Sequence, residues 1–160
     1  MLLKNIIDED YTNYKKCSMV LGFPSCTFKC EKEPGGCPGM CQNSALVKSK
    51  SKEIDVFTLW RRYIDNPLSH AIVCAGLEPF DSFSDLLKII EYFRAAGIDD
   101  DFVIYTGYYP DELVDKIYEL KQFNNIIVKF GRYKPNEQSH YDEVLGVNLA
   151  SSNQWAERIS

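Results

Sequence analysis

The chain has 160 residues, of which 45% are hydrophobic and 26% are charged, and its formal net charge is −5. These proportions are ordinary for a globular protein with one core, so we expect a single domain over residues 1–160. The negative charge argues against a nucleic-acid partner, because phosphate binding needs concentrated Lys and Arg. No apolar run approaches the roughly 18 residues that a membrane-spanning helix needs, and the apolar start of the chain breaks at Lys4. We therefore expect a cytoplasmic protein with neither a signal peptide nor a membrane segment.

Short apolar runs recur along the chain, and each is followed within two residues by Gly or Pro. They occupy residues 19–23, 71–74, 102–105 and 126–130. Continuous apolar runs of this length predict strands that are buried on both faces, as in a parallel sheet.

Segments with apolar residues at helical spacing separate these runs. The first follows a candidate N-cap, Asp55, and reaches Ile64; the second follows Ser84 and stops at Gly97; the third has Pro110 near its first turn. These signals predict three amphipathic helices. We interpret their apolar stripes as core packing rather than as partner surfaces.

Alternating strands and helices predict parallel βα units with right-handed crossovers. Four units are too few for a closed eight-stranded barrel. We therefore predict an α/β fold, an open or partial (βα) barrel with a mostly parallel sheet. Active sites in such folds gather at the C-terminal ends of the strands. We expect the segments that follow the four strands, residues 26–43, 76–79, 106–109 and 131–133, to converge on one rim.

Cysteines dominate the first of these segments. Four of the six cysteines, Cys26, Cys30, Cys37 and Cys41, lie there among Gly and Pro residues. In a reducing compartment they need an explanation other than disulfides. Thiolates are soft ligands that suit either a four-cysteine structural zinc site or an iron–sulfur cluster, and the cysteines alone fit both hypotheses equally. The remaining two, Cys17 and Cys74, are interpreted as ordinary buried thiols.

Several segments resemble the radical S-adenosylmethionine superfamily. Cys26 to Cys30 resembles the start of its CxxxCxxC motif, and Cys41-Gln42-Asn43 resembles the third cysteine in activating proteins of the anaerobic ribonucleoside-triphosphate reductase. Gly76-Leu77-Glu78-Pro79 is similar to the GGEP segment that follows the second strand of the superfamily. Further similar segments are Tyr105-Thr106-Gly107-Tyr108, Gly131-Arg132-Tyr133 and Ser151-Ser152-Asn153-Gln154. These segments keep the order that they have in the activating proteins.

The chain also departs from the family pattern. Ten residues separate Cys30 from Cys41, where the motif has two, so Cys37 is an alternative third ligand. We prefer Cys41, because the polar pair after it matches the family and Met40 supplies the apolar residue that precedes the third cysteine. Residues 31–39 then form an inserted loop. Leu77 stands at the second Gly of GGEP, and Lys129 lies near a position where the activating proteins usually have an acidic residue.

The resemblance implies a set of site residues. The cluster ligands would be Cys26, Cys30 and Cys41. The residues implied to contact S-adenosylmethionine are Met40 against the adenine, Gly76, Leu77, Glu78 and Pro79 around the methionine amino group, and Thr106 in the pocket wall. Arg132 would either pair with a cofactor carboxylate or cover the rim.

The resemblance further implies that a 4Fe–4S cluster reductively cleaves S-adenosylmethionine to a 5′-deoxyadenosyl radical. The implied partners are a large glycyl-radical enzyme, such as anaerobic ribonucleotide reductase, and a reduced flavodoxin-like electron donor. Two alternatives stay open: a radical enzyme that acts on another protein or peptide, and a non-catalytic binding domain stabilised by zinc.

Overall fold

The computed structural model describes residues 1–33 and 35–160, so one residue of the predicted insertion 31–39 lies outside the described residues. The strands are β1 Leu2–Leu3, β2 Asn5–Asp10, β3 Ser18–Phe23, β4 Lys52–Glu53, β5 Ala71–Gly76, β6 Asp101–Tyr105, β7 Ile126–Phe130, β8 His140–Asp142, β9 Val147–Leu149 and β10 Trp155–Arg158. The α-helices are α1 Lys29–Lys32, α2 Ser44–Lys48, α3 Val56–Ile64, α4 Phe83–Ala95 and α5 Val114–Leu120. Two short 3₁₀-helices span Pro79–Ser82 and Pro110–Glu112.

A six-stranded mixed sheet organises these elements, in the order β10-β7-β6-β5-β3-β2. The four central strands β3, β5, β6 and β7 are mutually parallel, and they are the four strands that the apolar runs predicted. The edge strands β2 and β10 are antiparallel to their neighbours. The chain is thus α/β with a mixed sheet, and the open or partial barrel stays a prediction.

The helices begin and end largely where the sequence signals lie. Asp55 caps α3, its carboxylate accepting a hydrogen bond from the Thr58 backbone N–H at 2.8 Å. The helix α4 begins one residue before Ser84, and Gly97 follows its end with a positive φ of 80°, a conformation that favours Gly. None of the helices among residues 1–33 and 35–160 combines the length and apolar character that crossing a membrane requires.

The two faces of the sheet bury different cores. One face packs against α3, α4 and α5 through large side chains such as Phe23, Phe93 and Phe102. The other face carries smaller side chains, among them Val73 and Val103, and is covered by residues from the β8–β9 region. Side chains alternate between the faces along each strand. Side chains on this second face of the central strands therefore point away from the helices.

A charged cluster lies at the N-terminal edge of the parallel strands. Asp101 begins β6 and is only 4% exposed. Its carboxylate accepts hydrogen bonds from the Tyr14 hydroxyl at 2.9 Å and from Arg158 at 2.8 Å, and it forms an ion pair with Lys16 at 2.5 Å. These partners hold the pKa of Asp101 below its usual value although burial acts in the opposite direction.

Candidate functional site

A cavity of about 270 Å³ lies at the C-terminal edge of the parallel strands. All four segments predicted to converge there contribute to its wall, which confirms that expectation. The lining residues that the argument below uses are Cys26, Cys30 and Cys41 from the first segment, Gly76, Leu77 and Glu78 from the second, Thr106 and Gly107 from the third, and Gly131 and Arg132 from the fourth. Right-handed βα units bring these sequence-distant residues together because their strands run in the same direction.

Three cysteines face this cavity. Cys26, Cys30 and Cys41 are half-buried and line its wall, whereas Cys37 is exposed and is not among the lining residues. Burial raises the pKa of Cys26 to about 12, and burial together with the neighbouring Cys41 raises the pKa of Cys30. Within the described residues, no three Cys, His, Asp or Glu side chains form a group that could hold a single metal ion. Thiolates are the ligands that hold iron–sulfur clusters, so the three thiols on this cavity are candidate ligands for one.

The cysteine loop, residues 26–43, is hydrogen-bonded near both of its ends to the region where β5 ends and the first 3₁₀-helix begins. At the first end, the Thr27 N–H donates to the Asp81 carboxylate at 2.7 Å. At the second end, the Asn43 side-chain amide donates to the Gly76 carbonyl at 2.6 Å. Between them, the Glu31 carboxylate accepts from the backbone N–H groups of Gly39 and Cys41 at 3.2 and 3.3 Å. These contacts hold the loop beside the strand ends.

The segment after β5 forms the cavity wall nearest to this loop. Gly76 has a φ of 94°, and a Cβ there would lie 2.5 Å from the Phe23 backbone nitrogen, so the close approach of β3 and β5 requires Gly. Leu77 and Glu78 line the cavity. Pro79 is buried at the first position of the 3₁₀-helix and is not among the lining residues.

Glu78 is a buried carboxylate surrounded by neutral donors. It is 4% exposed and accepts hydrogen bonds from the Thr106 hydroxyl at 2.8 Å, from the Gly107 N–H at 2.9 Å and from the Phe80 N–H at 3.2 Å. Burial dominates over these bonds and raises the pKa of Glu78 to about 7. Thr106 therefore lines the cavity and also connects the ends of β5 and β6.

Arg132 belongs to an ion-pair network on the rim. It is buried, forms a bidentate pair with Glu112 at 2.6 and 2.8 Å, and contacts Glu33 at 2.9 Å. Lys29 joins the same Glu112 carboxylate at 2.9 Å. Arg132 above all lowers the pKa of Glu112 to about 2. Of the two roles expected for Arg132, covering the rim is the one that these contacts describe.

Met40, like Pro79, is an implied cofactor residue that does not line the cavity. It is half-buried in the cysteine loop, where its sulfur accepts a hydrogen bond from the Cys37 N–H at 3.2 Å, and it is not among the residues that line the cavity. Two cysteines outside the loop were predicted to be buried thiols. Cys74 is buried as predicted, whereas Cys17 is only half-buried.

Sequence reasoning gave no role at the site to several residues of the cavity wall. Asn13, Tyr105, Lys129 and Gln154 all line it. The Tyr105 hydroxyl donates to the Asn13 carbonyl at 2.6 Å, and the Gln154 amide donates to the Gly131 carbonyl at 3.3 Å. The sequence did contain a sign of Lys129, because burying a charged residue inside an otherwise apolar run costs free energy unless the charge has a partner.

The geometry defines an α/β protein with three thiols on a cavity at the carboxyl edge of its sheet. The model of the family described as 4Fe-4S single cluster domain matches residues 17–155. The chain belongs to this family, and the matched span includes the whole cysteine loop. The family supports the iron–sulfur hypothesis over the structural zinc site. No curated protein and no solved structure matches the chain.

Proposed function

We propose that this iron–sulfur protein is a radical S-adenosylmethionine enzyme that generates a glycyl radical on a partner enzyme. The observation that carries the proposal is the position of three thiols, those of Cys26, Cys30 and Cys41, on one cavity whose wall also includes Gly76, Leu77 and Glu78 of the GGEP-like segment. A 4Fe–4S cluster held by three thiolates supplies one electron and an iron with an open position for the ligand.

The residues of the chain have distinct roles in this proposal. Cys26, Cys30 and Cys41 hold the cluster, and their loop is kept in place by Asn43 and Thr27. The backbone of the segment from Gly76 to Glu78 contacts the amino group of S-adenosylmethionine. Thr106 fixes the Glu78 carboxylate. The contact of Met40 with the adenine is implied by the resemblance alone, because Met40 does not line the cavity.

The proposed reaction has a simple balance of electrons and atoms. One electron from a reduced flavodoxin-like donor breaks a carbon–sulfur bond of the sulfonium and yields methionine and a 5′-deoxyadenosyl radical. That radical takes a hydrogen atom from a glycine of the partner and leaves as 5′-deoxyadenosine. The resemblance to activating proteins supports anaerobic ribonucleotide reductase as the partner. A different protein or peptide substrate uses the same first step.

The first experiment is an iron count with spectroscopy on anaerobically purified protein. We expect about four irons per chain, and an electron paramagnetic resonance signal of the dithionite-reduced protein that shifts when S-adenosylmethionine is added. Cys41→Ala loses the iron, whereas Cys37→Ala, a matched change on the same loop, retains it.

Other outcomes would contradict specific parts of the proposal. Iron lost in Cys37→Ala but retained in Cys41→Ala places the third ligand at Cys37. A full cluster whose signal does not respond to S-adenosylmethionine overturns the radical chemistry and leaves an electron carrier. Stoichiometric zinc without iron overturns both the radical enzyme and the electron carrier. If the cluster and the response are present, a glycyl-radical signal on added anaerobic ribonucleotide reductase tests the partner.

A further inference from the structure

The cavity contains a buried cation that the proposed cofactor contacts do not use. Lys129 lies on β7, its side chain is on the sheet face opposite the helices, and it is 6% exposed. It is the register partner of Tyr105 on β6, and its ammonium lies 5.9 Å from the centre of the Tyr105 ring. Both residues line the cavity beside Ala75. Together they form the part of the wall where β5, β6 and β7 end.

The other charged side chains of the cavity wall have partners in the protein. Arg132 and Lys29 share Glu112, and Glu78 accepts three hydrogen bonds. Lys129 instead donates to the backbone carbonyl of Gly131 at 3.0 Å, and within residues 1–33 and 35–160 no carboxylate lies within 4.0 Å of its ammonium nitrogen.

An ammonium has three N–H donors, so one bond to a carbonyl leaves donors available on the cavity side. Burial disfavours the charged form and lowers the pKa of Lys129 to about 8, although the Glu78 carboxylate, which lies beyond ion-pair distance, acts in the opposite direction. A buried Lys is normally paired. The missing partner of the Lys129 ammonium would be an anionic group that the ligand brings into the cavity.

We propose that Lys129 pairs with the carboxylate of the amino-acid end of the ligand, and so makes the cavity selective for a sulfonium that carries a carboxylate. The inference rests on the proposed function and names the residue that recognises one end of its cofactor. The cavity then offers Glu78 and backbone carbonyls toward the ammonium of the ligand and Lys129 toward its carboxylate. A zwitterion matches this pair of opposite charges.

The test compares two ligands on the anaerobically prepared holoprotein by calorimetry. One ligand is S-adenosylmethionine, and the other is its decarboxylated form, which lacks only the carboxylate. Lys129→Met weakens the binding of S-adenosylmethionine by about 30-fold or more, as expected when one partner of a buried charge pair is removed. The same variant changes the binding of the decarboxylated ligand by less than about threefold. The variant is compared with the wild type for each ligand separately. Any direct effect of the carboxylate on the iron is then the same in both proteins and cancels.

Lys116→Met is the matched control, because Lys116 also donates to a backbone carbonyl, that of Phe80 at 2.7 Å, but does not line the cavity. It binds both ligands like the wild type. Iron content is measured in each variant, and Lys129→Met retains about four irons.

Equal binding of S-adenosylmethionine by Lys129→Met and wild type overturns this inference and leaves the proposed function intact. Loss of both ligands to the same extent also overturns it, because the residue would then act on the shape of the cavity. A wild-type holoprotein with a full cluster that binds neither ligand overturns the proposed function, and this inference with it.

Discussion

Two carboxylates at opposite ends of the central sheet have the same small solvent exposure, yet their pKa values shift in opposite directions. Glu78 follows β5 at the C-terminal edge, Asp101 begins β6 at the N-terminal edge, and each is 4% exposed. The pKa of Glu78 is raised to about 7, whereas the pKa of Asp101 is lowered. Burial alone therefore does not determine the charge of these groups.

The partners account for part of the difference, and the deeper burial of Glu78 accounts for the rest. Asp101 has two cationic neighbours, Lys16 and Arg158, in addition to the Tyr14 hydroxyl. Glu78 receives hydrogen bonds from neutral groups only, and the Lys129 ammonium, which it attracts, lies beyond ion-pair distance. One edge of the sheet has its charges neutralised within the protein. The other edge keeps a carboxylate and an ammonium apart around a cavity, which is the arrangement that a ligand of mixed charge can complete.

The largest expected effect is the pH dependence that Glu78 gives to stability. Its pKa is raised from 4.5 to about 7 in the folded protein, so its contribution is fully present below pH 4.5 and is lost as the pH rises through 7. We expect the free energy of unfolding to fall by roughly 3 kcal/mol over that window. Urea unfolding of anaerobic protein at a series of pH values measures it.

Glu78→Gln supplies the control for this pH dependence, because it keeps the side chain's shape and removes its titration. The variant should lack the fall of roughly 3 kcal/mol that Glu78 contributes, so the difference between the wild-type and variant profiles isolates its titration. Two profiles that run parallel between pH 4.5 and 7 would contradict the raised pKa.

The next effect in size lies at the N-terminal edge. Asp101→Asn removes the charge that Lys16 and Arg158 share, and we expect a loss of roughly 2 kcal/mol at pH 7, a value reduced because those cations are 46% and 44% exposed. Because the folded pKa of Asp101 is lowered, its contribution is present above the unfolded value of 3.8 and disappears as the pH falls below it. Urea midpoints of the variant and wild type measure the loss.

A surface ion pair gives the matched control for Asp101. Asp65 pairs with Arg61 on the exposed side of α3, and Asp65→Asn should change stability by no more than about 0.5 kcal/mol. Equal losses in the two variants would show that burial of the Asp101 network adds nothing.

The smallest expected effect is that of Lys129→Met on stability. Replacing an unpaired buried ammonium with an apolar side chain of similar length should leave stability unchanged or raise it by about 1 kcal/mol. Thermal unfolding without ligand measures this change. A loss of more than about 2 kcal/mol would mean that the bond to the Gly131 carbonyl is structurally required. The charged groups at both edges of the sheet would then stabilise the fold.

The central strands could be predicted because each is buried on both faces and reads as one apolar run. The edge strand β2 could not, because three of its six residues, Asn5–Asp10, are acidic and none is fully buried. Its pairing with β3 also has a register irregularity between Ile7 and Asp10. The strand β10 is equally mixed, and its pairing with β7 depends on tertiary packing. Propensity therefore identifies the centre of this sheet and misses its edges.

The candidate site was predictable to a similar degree. Strand direction alone placed Cys26, Glu78 and Thr106 on one rim. The sequence did not reveal that Lys129 faces the cavity, since a side chain's face depends on the register of its strand. Nor did it reveal the pairing of Arg132 with Glu112, which joins residues from different loops.

The two fastenings of the cysteine loop affect how easily a metal centre is acquired. Thr27 and Asn43 fix the loop at Asp81 and Gly76, which lie close together in the sequence after β5. The entropy of closing this loop is thereby lost when the chain folds rather than when iron arrives. A cluster that enters a loop already closed in this way has less loop entropy left to overcome than one that enters an open loop.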